Sequence, residues 1–322
     1  MTLSYDPLCC TNLFTRSVGK SQLYLPGTNC LLRSQVPLAK LTSFRVGGPA
    51  QWYVAPQSLE DLQASFDWAH SQGLPMTWLG AGSNMLVSDF GLPGLVISTR
   101  HLSQIKFDAD TGIVTAGAGE SIARLAWQAA KRGWQGLEWA VGIPGTVGGA
   151  VVMNAGAHKS AIADTLISVE TISATGKCEQ LTPQDLDFSY RTCNLQGGNR
   201  LVVQASFELK PGANPKQVMA QTSRYLKQRR TSQPYHLPSC GSVFRNPESH
   251  AAGWLIEQIG LKGYRVGGAQ VAERHANFIL NCGGATANDI FQIIRHIQQQ
   301  VEQQWSLYLE PEVKILGDFQ SV

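Results

Sequence analysis

The sequence predicts an α+β protein with two domains behind an N-terminal extension. Its 322 residues are enough for two or three sizeable cores. Segments of helical and of strand periodicity follow one another along most of the chain, and Lys210-Pro211-Gly212 interrupts them after a long strand pattern. We therefore divide the chain into an extension of unknown role (residues 1–40), an α+β first domain (residues 41–213) and a C-terminal α/β domain (residues 214–322).

The elements of the first domain can be read in order. Residues 1–40 show no clear period and are interpreted as a loose arm, whereas periodic structure begins near Leu41. Ser58, with an acidic residue three positions later, predicts the start of a helix that ends near Gly73. Strands are predicted over residues 76–79, 113–116, 167–173 and 201–209, with a second helix from Ile122 to a stop at Gly133.

The second domain has three helical patterns and a final alternating segment. Helices are predicted over residues 215–230, over residues 250–259 and from Thr286 to Trp305, where apolar residues recur at helical spacing. Residues 307–315 alternate between apolar and polar, which predicts a closing strand. Glu310 and Glu312 would share its polar face.

Composition excludes several classes of protein. A net charge of +3 without a long basic run makes nucleic acid an unexpected partner. The seven cysteines are scattered, odd in number and without a C-x-x-C motif, so we predict neither a disulfide framework nor a metal site. The N-terminus lacks a secretory signal pattern, and the longest apolar region is too rich in glycine and proline for a membrane helix. We therefore expect a cytoplasmic protein without membrane insertion.

Three glycine-rich turns are candidate phosphate-binding loops. Gly80-Ala81-Gly82-Ser83-Asn84 and Gly117-Ala118-Gly119 each follow a predicted strand, and the longest run extends from Gly142 to Ala150. Because glycine and proline disfavour helix, residues 141–157 are predicted not to form one. Their backbone could approach an anionic ligand, although a packing turn between strands explains the run equally well. None of the turns completes a Rossmann or P-loop motif, and three converging loops favour an extended dinucleotide.

Motifs in a fixed order give a family resemblance. They are Gly80-Ala81-Gly82-Ser83-Asn84, Gly142-Ile143-Pro144-Gly145-Thr146-Val147-Gly148-Gly149-Ala150, Ser189-Tyr190-Arg191, Gly241-Ser242-Val243-Phe244-Arg245-Asn246-Pro247, Gly268-Ala269-Gln270-Val271 with His275-Ala276-Asn277-Phe278-Ile279, and Leu309-Glu310-Pro311-Glu312-Val313. The first two resemble the FAD-binding PCMH-type domain of the vanillyl-alcohol-oxidase superfamily. Together the motifs resemble the UDP-N-acetylenolpyruvoylglucosamine reductase family, from about residue 41 to the C-terminus. The short stretch between Arg191 and Ser242 resembles the branch that lacks a tyrosine-bearing lid loop.

The resemblance implies a reaction and its cofactors. NADPH would reduce FAD, and the flavin would pass hydride to the enolpyruvyl group of UDP-GlcNAc-enolpyruvate, which yields UDP-N-acetylmuramate for peptidoglycan. No protein partner is expected. We see no suitably matched His or Cys for a covalent flavin link, so FAD is expected to bind non-covalently.

The resemblance also assigns roles to residues. Arg191 would bind the substrate carboxylate, Ser242 would donate a proton to the enolate carbon, and Glu312 would stabilise the enolate as a neutral acid. Read without the resemblance, the three are an ordinary surface arginine, a turn serine and a solvated edge carboxylate. The expected cofactor-binding residues are Gly80, Gly82, Ser83, Asn84, Gly142, Pro144, Gly145, Gly148, Gly149, Asn154 and Gly156, and the expected substrate-binding residues are Tyr190, Gln233, Arg245 and Asn246.

Two other functions remain open. A flavin oxidase of the same superfamily, acting on a sugar or alcohol, would consume oxygen without needing NADPH. A catalytically silent flavin- or nucleotide-binding protein would bind FAD without turnover, but it would leave the three catalytic motifs unexplained.

Overall fold

The computed structural model describes residues 23–198 and 200–319. The helices are α1 (Leu59–Ser71), α2 (Ile122–Lys131), α3 (Val147–Val152), α4 (Pro183–Leu186), α5 (Pro215–Ser232), α6 (Ala252–Gln258) and α7 (Ala287–Trp305). The strands are β1 (Leu23–Tyr24), β2 (Leu31–Pro37), β3 (Pro49–Val54), β4 (Met76–Leu79), β5 (Met85–Val87), β6 (Leu92–Ser98), β7 (Ile105–Asp108), β8 (Ile113–Gly117), β9 (Gly156–Ala157), β10 (Ser160–Ala161), β11 (Leu166–Ser173), β12 (Cys178–Leu181), β13 (Arg200–Glu208), β14 (Arg265–Val266), β15 (Ala269–Val271), β16 (Ile279–Asn281) and β17 (Lys314–Leu316). This mixture of helices and strands agrees with the predicted α+β class.

The first sheet has the strand order β1-β2-β3-β6-β4. Strands β1 to β3 pair antiparallel, and β6 runs parallel to both β3 and β4. Leu62 and Phe66 of α1 pack into the core on this sheet. The interpretation of residues 1–40 as a loose arm is wrong for β1 and β2. Strand β2 leaves most of its side chains partly or fully exposed, so it lacks the alternation that reveals a half-buried strand. Residues 1–22 lie outside the described residues.

The second sheet is antiparallel throughout, with the order β12-β11-β13-β8-β7. It contains the strands predicted over residues 113–116, 167–173 and 201–209, which correspond to β8, β11 and β13. Leu125 of α2, Val151 of α3 and Phe207 of β13 lie in one buried core on this sheet. Side chains of α5 pack against the same core. By packing, α5 therefore belongs with the first domain, although the sequence break at residues 210–212 precedes it.

The glycine-rich run contains a helix, which corrects the prediction that it has none. Helix α3 spans six residues, and the Thr146 Oγ1 atom caps it by accepting the Gly149 N–H at 3.3 Å. Gly148 lies so close to the strand layer that a Cβ would come within 2.9 Å of the Ala118 Cβ. Burial against the second sheet and the threonine cap thus offset the low helix propensity of glycine, about 1 kcal/mol per residue.

The C-terminal part combines α6 and α7 with the small antiparallel sheet β14-β15-β16. Ile290, Ile294 and Ile297 of α7 are completely buried in its core. The predicted closing strand is only partly correct. Leu309 and Val313 are buried as expected, but regular strand begins at β17. Pro311 has no N–H to donate to a ladder, so the segment before β17 makes an isolated bridge between Phe244 and Pro311 instead.

A strand pairing and a carboxylate contact are among the connections that join the C-terminal part to the first domain. Strand β17 pairs in parallel with β5. The carboxylate of Asp89 accepts the backbone N–H groups of Ala287 and Asn288, both at 2.9 Å, at the start of α7. A carboxylate at a helix N-terminus satisfies unpaired N–H groups and complements the helix dipole. The two parts are therefore held in a fixed relation next to the loop that follows β4.

Candidate active site

An ion pair between Arg191 and Glu312 lies where the first domain meets the C-terminal segment. The Nε atom of Arg191 lies 3.1 Å from the Glu312 Oε1 atom, and its Nη2 atom donates to the Gly156 carbonyl at 2.9 Å. Both side chains of the pair are mostly buried. The guanidinium is therefore held in one orientation by partners on two different segments of the chain.

Burial dominates the electrostatics of Glu312. Desolvation raises the pKa of this carboxyl, and the positive charges of Arg191, Arg245 and Arg229 oppose the rise. Burial also raises the pKa of the neighbouring Cys240 thiol, and the charge of Glu312 raises it further. A carboxyl that is buried and yet faces several cations is suited to changing its protonation state during a reaction.

The structure separates the two candidate carboxylates of the last segment. Glu310 keeps 64% of its side chain exposed and pairs with Arg245 at 2.9 Å, whereas Glu312 keeps 16% and faces Arg191. The alternation of apolar and polar residues in a strand does not distinguish the two carboxylates, because both occupy the polar side of the predicted strand. The Glu312 backbone is also fixed at both ends: its N–H donates to the Val243 carbonyl at 2.7 Å, and its carbonyl accepts from the Asn84 Nδ2 atom at 3.0 Å.

The turn that carries Arg191 has an unusual backbone. Arg191 has a φ of +59°, in the left-handed region, which is uncommon outside glycine, asparagine and aspartate. Two amide side chains support the turn. Asn154 Nδ2 donates to the Ser189 carbonyl at 2.9 Å, and Gln196 Nε2 donates to the Arg191 carbonyl at 2.9 Å. Asn154 also accepts the Ala163 N–H at 3.1 Å, so its side chain is already engaged within the protein.

Ser242 lies in a loop that a buried asparagine holds in place. Gly241 before it has a φ of +87° and open space where a Cβ would stand. After it, the Phe244 N–H donates to the Asn277 Oδ1 atom at 2.9 Å, and the Asn277 Nδ2 atom donates to the Phe244 carbonyl at 2.8 Å. The Asn277 carbonyl accepts the Val243 N–H at 2.9 Å. This framework brings the Ser242 loop beside the segment that carries Glu312.

The expected substrate-binding residues fall into two groups. Tyr190 and Arg245 are together, since the Arg245 Nη2 atom donates to the Tyr190 carbonyl and its Cζ atom lies 5.9 Å from the centre of the Tyr190 ring. Asn246 instead accepts the Ala252 N–H at 3.0 Å and so holds the start of α6. Gln233 caps the C-terminus of α5 through its backbone N–H.

Comparison with known proteins identifies the family. Residues 233–316 match the C-terminal domain of UDP-N-acetylenolpyruvoylglucosamine reductase, and residues 50–182 match an FAD binding domain. A UDP-N-acetylenolpyruvoylglucosamine reductase from Nostoc sp. is 62% identical over 299 residues, which cover 93% of this chain and 90% of the relative. The chain belongs to the UDP-N-acetylenolpyruvoylglucosamine reductase family.

Further relatives agree with this assignment. The reductase of the same name from Synechocystis sp. is 57% identical over 297 residues, which cover 92% of this chain and 94% of the relative. The crystal structure of the reductase from Thermus caldophilus superposes with a TM-score of 0.76 at 34% identity, over 89% of this chain and all of that one. The predicted family and the order of an FAD-binding domain followed by a C-terminal domain are thus confirmed.

The glycine loops of the family's FAD-binding domain meet at the surface beside Asn84. Ser83 Oγ donates to the Pro144 carbonyl at 2.9 Å and joins two of the loops. A Cβ on Gly145 would meet only Ser83 Oγ, at 3.0 Å, and one on Gly149 only Thr146 Oγ1, at 3.5 Å. These two glycines otherwise face open space, so their backbone can lie against a flat or anionic group. The residues present therefore fit the FAD that the domain implies.

Other expected cofactor-binding glycines approach the protein itself. A Cβ on Gly80 would lie 2.6 Å from Thr146 Oγ1, and one on Gly156 would lie 2.5 Å from the Ser160 carbonyl. A Cβ on Gly82 would collide with the Leu41 carbonyl, and one on Gly142 with the Arg229 Cδ atom. At Gly82 and Gly156 the neighbouring atom is a backbone carbonyl, so a larger residue would force two segments of the chain apart, whereas at Gly80 and Gly142 the neighbouring atom belongs to a side chain. Close packing of the chain against itself accounts for glycine at Gly82 and Gly156.

Sequence reasoning missed several residues that support the site. Gln196 holds the Arg191 turn, and Asn277 holds the Ser242 loop. Tyr235 links the last turn of α5 to the Gly142 turn, because its Oη atom accepts from Arg229 Nε at 2.7 Å and donates to the Gly142 carbonyl at 3.0 Å. A glutamine or asparagine next to a motif gives no periodic signal. Asn277 alone carried a signal, because it lies within the motif His275-Ala276-Asn277-Phe278.

Proposed function

We propose that this chain is the NADPH-dependent reductase that converts UDP-GlcNAc-enolpyruvate to UDP-N-acetylmuramate, a step in the synthesis of peptidoglycan precursors. The observation that carries the proposal is the buried Arg191–Glu312 pair beside the Ser242 loop. The relatives that carry the reductase name match this chain over almost their whole length. When bound, FAD supplies the hydride relay from NADPH to the enolpyruvyl group. The protein must then bind the substrate carboxylate, stabilise the enolate and deliver one proton.

Arg191 is proposed to bind the carboxylate of the enolpyruvyl group. A guanidinium presents five N–H donors in a rigid fork and stays charged at any relevant pH. Two of its nitrogens are anchored by Glu312 and Gly156, which fixes the plane of the fork. The remaining donors can meet a carboxylate without reorganisation, and this preorganisation lowers the cost of building up negative charge.

Ser242 and Glu312 are proposed to complete the acid chemistry. The Ser242 hydroxyl would deliver the proton to the enolate carbon, since its loop lies next to the pair. Serine is a weak acid, so the donor needs polarising neighbours, and the three arginines that face Glu312 supply positive charge nearby. Burial favours the neutral form of Glu312, which can donate a hydrogen bond to the developing enolate oxygen.

The remaining contacts are assigned by position. We infer that Tyr190 and Arg245, together with Gln233, face the UDP-sugar. Arg229 is placed by Tyr235 beside the Gly142 turn and could meet the diphosphate. Asn246 supports α6 through its Oδ1 atom, so at most its Nδ2 group could reach a ligand.

Location and the mode of flavin binding are also inferred. Among the described residues the five cysteines are free thiols, which suits a reducing compartment such as the cytoplasm. None of the described helices combines the length and apolar character needed to cross a membrane. We infer that FAD is held non-covalently, and yellow colour that stays with acid-precipitated protein would contradict this.

Anaerobic stopped-flow absorbance of the flavin tests the function. NADPH should bleach the flavin band, and subsequent UDP-GlcNAc-enolpyruvate should restore it rapidly. Recovery only after oxygen is admitted would identify a flavin oxidase instead. Absence of a flavin band, even after FAD is added, would overturn the cofactor and the proposed function with it.

Three variants separate the residue roles in the same assay. Ser242→Ala should leave reduction by NADPH intact and slow reoxidation by the substrate by about 100-fold or more, since a general acid contributes about 10²–10⁴-fold. Glu312→Gln should impair the same step. Glu310→Gln, the matched control on the neighbouring exposed carboxylate, should leave both steps unchanged. The opposite pattern for the two glutamates would transfer the role to Glu310.

A further inference from the structure

The left-handed turn at Arg191 depends on a single amide group for its carbonyl. Gln196 Nε2 donates to the Arg191 carbonyl at 2.9 Å and to the Val152 carbonyl at 3.0 Å. An amide nitrogen has two hydrogens, so these two bonds use both of them. The group therefore ties the turn that carries Arg191 to the C-terminal end of α3, in the glycine-rich run.

Lys314 fixes the orientation of that amide. Its Nζ atom donates to the Gln196 Oε1 atom at 2.8 Å. An ammonium group can only donate, so it selects the amide oxygen and leaves the nitrogen facing the two carbonyls. Lys314 also follows Glu312 by two residues and donates its backbone N–H to the Asn84 carbonyl at 3.0 Å. The turn of Arg191 and the segment of Glu312 are thus connected a second time, independently of their ion pair.

We propose that Gln196, oriented by Lys314, is a positioning residue that sets the place of the Arg191 guanidinium relative to Glu312 and the substrate carboxylate. This inference rests on the proposed function, because it concerns the step in which Arg191 takes part. Gln196 touches neither reacting group in this arrangement. It acts through the backbone of Arg191, whose φ of +59° costs energy that local hydrogen bonds must offset.

The amide chemistry explains why near-isosteres should fail. The Gln196→Glu change would keep an acceptor for Lys314, but a carboxylate has no hydrogen to donate, so its second oxygen would face the carbonyls of Arg191 and Val152. Gln196→Glu and Gln196→Ala should therefore both release the turn. Because a misplacement of about 1 Å can cost on the order of 100-fold in rate, we expect the substrate-dependent step to slow by about 10- to 100-fold.

The test compares the two half-reactions of the FAD-loaded protein. In Gln196→Ala, flavin reduction by NADPH should stay within about twofold of wild type, while reoxidation by UDP-GlcNAc-enolpyruvate slows as above. Asn194→Ala is the matched control, because Asn194 lies in the same loop as Gln196 and also donates its side-chain amide to a backbone carbonyl, that of Asp185 in α4. It should change neither half-reaction, and both variants should have similar melting temperatures.

A double-variant comparison and a crystal structure provide two further tests. Lys314→Met should slow reoxidation by itself but add nothing in the Gln196→Ala background, since coupled residues are not additive. A crystal structure of Gln196→Ala should show the distance from Arg191 Nε to Glu312 Oε1 lengthened beyond the 3.1 Å of the wild type.

The outcomes separate this inference from the proposed function. The positioning role is wrong, and the proposed function stands, if the substrate reoxidises the flavin of Gln196→Ala as fast as that of the wild type. The same conclusion holds if both half-reactions of Gln196→Ala slow together. If the wild-type flavin is not reoxidised by the substrate, the proposed function fails and the positioning role falls with it.

Discussion

Removing Asn277 should destabilise the protein and disable the Ser242 loop. Asn277→Ala deletes both side-chain bonds to Phe244, whose N–H and carbonyl are buried. Leaving a buried polar group unsatisfied costs about 1–3 kcal/mol, so the two together predict a loss of about 2–6 kcal/mol in the free energy of unfolding. The same change frees the backbone immediately after Ser242, so reoxidation of the flavin by the substrate should slow while reduction by NADPH persists.

Urea unfolding of the FAD-loaded protein, followed by tryptophan fluorescence, measures the stability change. The matched control is Thr222→Val. Thr222 is completely buried, but its hydroxyl donates at 2.8 Å to the Val218 carbonyl of its own helix. The hydrogen bonds of the helix already use that carbonyl, so the carbonyl keeps a partner when the hydroxyl is removed. This control should lose about 1 kcal/mol at most and keep both half-reactions. A loss below about 1 kcal/mol in Asn277→Ala, with normal reoxidation, would refute the reasoning.

Three more outcomes follow from the structure. Burial raises the pKa of Glu312 above 4.5, so the contribution of this carboxyl to stability is fully present below pH 4.5 and is lost as the pH rises through the raised pKa. The stability of Glu312→Gln relative to wild type should therefore increase with pH in urea titrations. A constant difference would contradict the raised pKa. Asp89→Ala leaves the Thr286 cap of α7 in place but removes the carboxylate that accepts the Ala287 and Asn288 N–H groups, and it should lower the free energy of unfolding by about 1–2 kcal/mol. An unchanged melting temperature would show that water replaces the carboxylate. Gly82→Ala should destabilise the protein more than Gly27→Ala. Both glycines have positive φ, but only at Gly82 would the new Cβ strike a carbonyl, that of Leu41. Equal melting temperatures would mean that the chain relaxes around the new Cβ.

Regular elements with clear end signals could be predicted from the sequence. Ser58 accepts the Asp61 N–H as its spacing indicates, and α1 follows it. Helix α2 begins after Ser121 and is followed by Gly133 with a φ of +72°. In both cases the cap and the apolar face belong to the same short stretch of chain. Local chemistry is then enough to determine the element.

Elements that depend on distant packing could not be predicted. Helix α3 contains two glycines and forms because it is buried on the second sheet, which lies elsewhere in the sequence. Strand β2 has too few buried residues to show a period. The segment before β17 alternates like a strand, yet Pro311 prevents a regular ladder. In each case tertiary contacts override the local pattern.

The sequence could name candidate site residues but not their geometry. The motifs singled out Arg191, Ser242 and Glu312, and the structure brings their segments together. The sequence could not show that Asn154 supports the Arg191 turn, that Asn246 holds α6, or that burial separates Glu312 from Glu310. Such distinctions depend on which hydrogen bonds a side chain has already made, and no spacing rule contains that information.

The return of β17 to β5 has a consequence for synthesis at the ribosome. The loop of Ser83 and Asn84 is made early, but Asn84 acquires its partners at Glu312 and Lys314 only when almost the whole chain has emerged. The strands of the two five-stranded sheets all lie before residue 209 in the chain, whereas these partners of Asn84 lie at residues 312 and 314. A product that is truncated before residue 312 lacks Glu312, Lys314 and β17, so β5 and the loop of Ser83 and Asn84 are left without these C-terminal partners.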